Sequence, residues 1–164
     1  MEIRRELTAP CGIERLFAWV EDLAIYPQWM GLVHQVADAA NPGAEGPAWN
    51  VELRAQVGPF ARSKALRMER TEHVAPTVVS RGQPGAALGR ATFERREVDG
   101  REHSAWILRT TVSPGPTGET SGLIMELQYG GSLWGGAVLQ RVLDDAVRRG
   151  SERLVDLVSE APTR

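Results

Sequence analysis

Cysteine is nearly absent from this 164-residue chain, which holds only Cys11. A lone thiol excludes an internal disulfide framework and any zinc site built on clustered cysteines. Histidine is scarce too. None of His34, His73 and His103 has a metal-type or nucleophile-type partner at a recognisable spacing. No apolar run approaches the roughly 18 residues of a membrane-spanning helix. The opening stretch MEIRRELTAP lacks the apolar segment of a secretory signal. Lysine is reduced to Lys64, every other basic residue being arginine. A P-loop, a dinucleotide fingerprint, a nucleophile elbow and a His-Glu-x-x-His pattern are all missing, so nothing calls for a metal, a nucleotide or another cofactor.

The length corresponds to about one domain, and residues 1–164 are expected to form it. Such a domain buries roughly two-thirds of the surface its unfolded chain exposes, so it needs no covalent staple. Charged residues make up 24% of the chain, close to the average of about 25% for soluble proteins, which argues against disorder. A net charge of −2 gives no overall signal for nucleic acid. The charge is uneven, however: residues 54–109 carry 11 basic and 6 acidic groups, a local balance of +5. A cytoplasmic protein is expected, as a monomer or homodimer, with no membrane span.

Short Gly/Pro clusters such as Asn41-Pro42-Gly43, Gly58-Pro59, Gln83-Pro84-Gly85 and Pro114-Gly115-Pro116 punctuate strand-sized segments. Residues 2–8 suit a first strand. Ile13, Leu16, Phe17 and Val20 recur at helical spacing, and Pro27 is expected to end a second helical piece over Leu23–Tyr26. From Trp49 to Val57 apolar and polar residues alternate, the pattern of a strand with one dry face. Strands are expected over 60–73, 77–83, 89–98, 103–112 and 119–129, with Asp99-Gly100 as a tight hairpin. Leu139, Leu143, Ala146, Gly150, Leu154 and Leu157 then form one stripe of a long amphipathic helix over about 132–160, with Ser132 as its cap. Strand following strand implies an antiparallel sheet, and one long helix can cover its concave face.

The stretch from Ala9-Pro10 through Leu16-Phe17-Ala18-Trp19-Val20-Glu21-Asp22-Leu23 to Tyr26-Pro27-Gln28-Trp29 resembles the opening of the polyketide cyclase/dehydrase-like (SRPBCC) branch of the START/Bet v 1-like superfamily. Leu127-Gln128-Tyr129-Gly130-Gly131 is similar to that family's last strand and turn. The resemblance covers residues 3–160 and implies an α+β helix-grip fold. In that fold a seven-stranded antiparallel sheet curves around the C-terminal helix, with two short helices after strand 1. It further implies an internal cavity for an apolar or amphipathic small molecule. Its motifs speak to fold more than to activity.

By strand parity the cavity-facing set is Trp49, Leu53, Leu66, Met68, Trp106, Leu108, Met125 and Leu127, faced from the helix by Leu139, Leu143, Ala146 and Gly150. Aromatic and Met side chains suit a flat or flexible apolar ligand, and they equally suit a filled core. Arg70 shares the parity of Leu66 and Met68. A buried guanidinium needs an acceptor, and the family's cyclases use cavity arginines to polarise carbonyls; the alternative is an Arg at a strand end that reaches solvent. His34 follows the Tyr-Pro-Gln-Trp segment and is a candidate general base, or simply a surface residue. Arg54, Arg67, Arg81 and Arg109 are expected on the outer face, and His73 and His103 in solvent. Three functions stay open: binding or transport of a lipid, quinone or polyketide-like molecule; a polyketide cyclase or dehydratase using Arg70 and His34; and a protein- or RNA-interaction module on a basic sheet face.

Overall fold

The computed structural model describes residues 1–40, 46–77, 88–130 and 136–160. Strand β1 (Glu2–Ala9) leads into helix α1 (Ile13–Ala18) and a 3-10 helix (Leu23–Gln28). Strands β2 (Val33–Asp38), β3 (Ala48–Val57), β4 (Phe60–Val74), β5 (Gly89–Arg95), β6 (Trp106–Pro114) and β7 (Ser121–Tyr129) follow, and α2 (Gly136–Ser159) closes the order. The strands form one sheet in the order β1-β7-β6-β5-β4-β3-β2. Every pairing is antiparallel. This is the helix-grip arrangement, with α2 against the concave face.

Local chemistry accounts for the entry of the chain into this frame. Leu16 and Phe17 of α1 are buried, and the Asp22 carboxylate accepts the Ala24 N–H at 2.8 Å to cap the 3-10 helix. That helix runs to Gln28 with Pro27 inside it, not to Tyr26, because the fixed φ of proline is compatible with a 3-10 turn. The Tyr26 hydroxyl donates to the Val20 carbonyl at 2.9 Å, and the Trp29 indole donates to the Trp19 carbonyl at 3.1 Å. Both side chains are buried and pack the short helices on the sheet.

Several sequence expectations need correction. β2 has no alternation to announce it; only Val33 is buried, and it gains its structure by pairing with β3 across an irregular register between Val33 and Gln35. The strand expected over 77–83 lies, apart from Thr77, outside the described residues, and Thr77 is not in a strand. Asp99-Gly100 does not form a two-residue hairpin. β5 stops at Arg95, whose guanidinium is turned onto Glu97 at 2.7 Å, and β6 starts only at Trp106. Within that connection Gly100 adopts φ +71°, and Asp99 accepts from the His103 ring at 2.9 Å and from the Arg101 N–H at 3.1 Å. His103 is therefore tied down and not merely solvated. Ser132, the expected cap of α2, lies outside the described residues, as does Arg81.

The buried stripe of α2 is Leu143, Val147, Gly150, Leu154 and Val158. Ala146 and Leu157 are only partly buried, so the helix is rotated by about one residue from the expected stripe. Gly150 lets α2 approach the chain after the 3-10 helix: a Cβ there would sit 3.0 Å from Met30 Sδ and 3.2 Å from the Trp29 carbonyl oxygen.

β4 is the longest strand. It pairs with β3 along Phe60–Glu69 and with β5 along Met68–Val74, so the two pairings overlap only at Met68 and Glu69. On its outer face Arg67 and Glu69 are both buried, 3.5 Å apart. Arg67 donates to the Arg96 carbonyl at 2.7 Å and to the Ala40 carbonyl at 3.1 Å. The outer-face expectation for Arg67 holds in parity, but the connections on either side of β4 cover it.

Candidate ligand cavity

Strand parity and the grip of α2 enclose a cavity of about 60 Å³ between sheet and helix. Its sheet wall is Ile3 from β1, Val33 from β2, Val51 and Leu53 from β3, Leu66 and Met68 from β4, Trp106 and Leu108 from β6, and Met125 and Leu127 from β7. Leu23, Tyr26, Met30 and Leu32 close one side, and Val147 of α2 covers it. The lining is almost wholly apolar. Three of the four methionines of the chain, Met30, Met68 and Met125, take part in it.

Beyond Trp106 a polar corner adjoins the cavity, although Lys64 and Tyr129, which form it, do not belong to the lining itself. β5 has ended at Arg95, so the Phe60–Leu66 stretch of β4 has β3 on one side and no paired strand on the other. Lys64 shares the inward parity of Leu66 and Met68. Its ammonium lies 5.9 Å from the centre of the Trp106 ring and 5.4 Å from that of Tyr129, within cation–π range. The two rings meet edge to face at 4.9 Å. Lys64 makes no hydrogen bond or ion pair with the described residues. Burial pushes its pKa below the ordinary lysine value; the charge of Arg95 adds to this and Glu97 opposes it. Tyr129 is 3% exposed, and its phenol oxygen is buried without a hydrogen-bond partner among the described residues.

Of the residues singled out by parity, Leu53, Leu66, Met68, Trp106, Leu108, Met125 and Leu127 line the cavity. Trp49 is buried but belongs to the filled core, its ring 5.8 Å from Phe93. Leu143 is buried in the helix–sheet seam and Gly150 meets Met30, so neither reaches the cavity surface. The side chain of Leu139 lies outside what is described. The sequence pattern missed Val147, because the helix rotation moves it into the place expected of Ala146. It also missed Val51, which shares the β3 face of Leu53, and Ile3, Leu23, Tyr26, Met30, Leu32 and Val33, which come from the two edge strands or from irregular segments without a readable period.

Arg70 and His34 do not converge. A register shift falls between Arg70 and Glu72 in β4, and the Arg70 guanidinium donates to the Glu21 carbonyl, just beyond α1, at 2.9 Å. His73 reaches the same place, 2.6 Å from the Glu21 carboxylate and 5.6 Å from the Phe17 ring, and is not simply solvated. His34 is exposed in an open groove of about 410 Å³ between α2 and the β2–β3 edge, beside Arg54, Gln56, Asp145 and Arg149. Neither Arg70 nor His34 lines the cavity. Leu32 lines both the groove and the cavity and forms the wall between them. Cys11 is buried, with its thiol pushed up in pKa by that burial, 3.9 Å from the Ser121 hydroxyl. Among the described residues no group of three or more His, Cys, Asp or Glu side chains is placed to hold a metal, and no described helix is long and apolar enough to cross a membrane.

No protein-family model matches the chain, and no curated protein matches it. Solved structures do. Human StAR-related lipid transfer protein 5 superposes with a TM-score of 0.71 at 9% identity, covering 96% of this chain and 75% of that one. A START superfamily protein from Mycobacterium smegmatis gives a TM-score of 0.66 at 13% identity, covering 96% and 97%. The Zhui aromatase/cyclase from Streptomyces sp. R1128 gives 0.61 at 9% identity, covering 97% and 93%. The chain therefore has the START/Bet v 1-like helix-grip fold.

Proposed function

We propose that the protein binds or carries a hydrophobic small molecule of lipid, quinone or polyketide type in the cavity under α2. The observation that carries this reading is an apolar space between sheet and helix, lined in part by three methionines. At about 60 Å³ the space is smaller than the roughly 300–1,000 Å³ of typical small-molecule sites. Methionine is unbranched and adaptable, so Met30, Met68 and Met125 can swing aside and enlarge it. Leu53, Leu66, Trp106, Leu108 and Leu127 then contact the ligand, and Leu32 is the shortest barrier to the outer groove. The fold shared with a lipid transfer protein supports the same reading. A cytoplasmic location belongs to it, in keeping with a single reduced thiol.

Native mass spectrometry of the purified protein, compared with its denatured mass, tests the proposal. The expected result is an extra mass of a few hundred daltons lost on denaturation, or uptake of an apolar fluorescent probe that Met68→Trp abolishes by filling the space. A protein that carries nothing and takes up no apolar probe overturns it.

A further inference from the structure

We propose that the Lys64–Trp106–Tyr129 corner is the head-group subsite of the cavity, and that the ligand is an amphiphile with an apolar tail and a terminal carboxylate. The inference rests on the cavity reading above and deepens it.

Three observations meet at this corner. Lys64 is the only lysine of the chain, it sits over two aromatic faces, and it has no counter-ion among the described residues. The nearest acid, Glu97, is held by the Arg95 guanidinium at 2.7 Å and also accepts the Arg67 N–H at 3.2 Å. The corner thus carries two cations against one carboxylate, an excess of one positive charge. The Tyr129 phenol is buried and unpartnered, which is costly unless something accepts its proton or donates to its oxygen. A carboxylate answers both needs: it supplies the missing counter-ion to Lys64 and an acceptor for the phenol O–H. Trp106 joins this corner to the apolar interior, since its ring touches Tyr129 and also lines the cavity beside Leu108 and Leu127. An alcohol or hydrocarbon of the same length would fill the apolar part and leave the ammonium without its partner.

Octanoate and octanol form the discriminating pair of probes. Each is titrated by calorimetry into the delipidated wild-type protein and into Lys64→Met, Lys64→Arg and Tyr129→Phe. Wild type is expected to bind octanoate about tenfold or more tighter than octanol, the scale of a charge-assisted hydrogen bond. Lys64→Met should erase most of that preference, weakening octanoate far more than octanol, and Lys64→Arg should restore most of it. Tyr129→Phe should weaken octanoate by a few-fold, in line with losing one hydrogen bond. Unchanged octanoate affinity in Lys64→Met overturns the subsite, and so does a wild type that takes octanol as well as octanoate; both leave the cavity reading standing. A wild type that binds neither probe overturns the cavity reading and the subsite with it.

Discussion

The two ends of β4 each bring a basic side chain to aromatic rings on the inner face, with opposite results. At the Val74 end, His73 lies against Phe17 with the Glu21 carboxylate at 2.6 Å, and Arg70 is satisfied by the Glu21 carbonyl at 2.9 Å. Phe93, Tyr26, Trp29 and Trp49 fill the space behind them. At the Phe60 end, Lys64 lies over Trp106 and Tyr129 with no hydrogen bond or ion pair among the described residues, and Trp106 leads on to the cavity. One end is closed packing with its polar groups paired. The other leaves a charge, a phenol and a void unused by the fold. Side chains that the fold does not consume are the ones available to a ligand.

Truncating one large side chain in the filled core and one in the cavity wall is the strongest way to test that contrast. Phe93 is fully buried, so Phe93→Ala should cost about 3–5 kcal/mol of unfolding free energy in urea. Met125→Ala, in the cavity wall, should cost closer to about 2 kcal/mol, the low side of the range for a core Met, because a side chain that faces a void has fewer packing contacts to lose. It should also admit bulkier apolar probes. Equal losses at the two sites would mean that the cavity wall is packed as tightly as the filled core.

The pairing at the closed end predicts a smaller effect. The His73 and Glu21 side chains are about one-third exposed, at 35% and 30%. His73→Ala should therefore lower stability by about 1 kcal/mol or less, as for other partly solvated ion pairs. It should leave binding of apolar probes unchanged, since His73 does not line the cavity. A loss of probe binding in this variant would join the two ends into one site and remove the contrast.

How far the molecule was legible in the sequence follows the same division. Period-two alternation exposed β3 and the Leu66/Met68 face because those strands have one dry side. The apolar stripe exposed α2 to within one residue. β2 was hidden because an edge strand with one buried residue carries almost no pattern, and its order comes from β3. The cavity wall was readable on most of the inner strands, though not at Val51, and unreadable at Ile3 and Val33 on the edge strands and at Leu23, Met30 and Leu32, whose placement depends on a 3-10 helix and a turn. Parity pointed to Arg70 and could as well have pointed to Lys64, three side chains earlier on the same face. What separates them is tertiary: the Glu21 carbonyl that accepts from Arg70, and the early end of β5 that leaves Lys64 beside Trp106.

Lys64 gives the smallest change in stability and the sharpest contrast with its counterpart His73. A side chain that the fold does not use can be removed at little loss, so Lys64→Met should stay within about 0.5 kcal/mol of wild type at neutral pH, as for surface substitutions away from structural pairs. The sign of its pH dependence is also determined. Burial holds the folded-state pKa of Lys64 below that of the unfolded chain, so between the two values the unfolded state binds more protons. Stability of the wild type should then rise slightly with pH across that window, and the rise should be missing in Lys64→Met. Saturating octanoate should reverse the order by stabilising the charged ammonium, so wild type gains more in melting temperature than the variant and loses that gain as Lys64 deprotonates. Parallel melting curves for the two proteins across alkaline pH, with and without octanoate, would place Lys64 in bulk solvent and make the two ends of β4 alike.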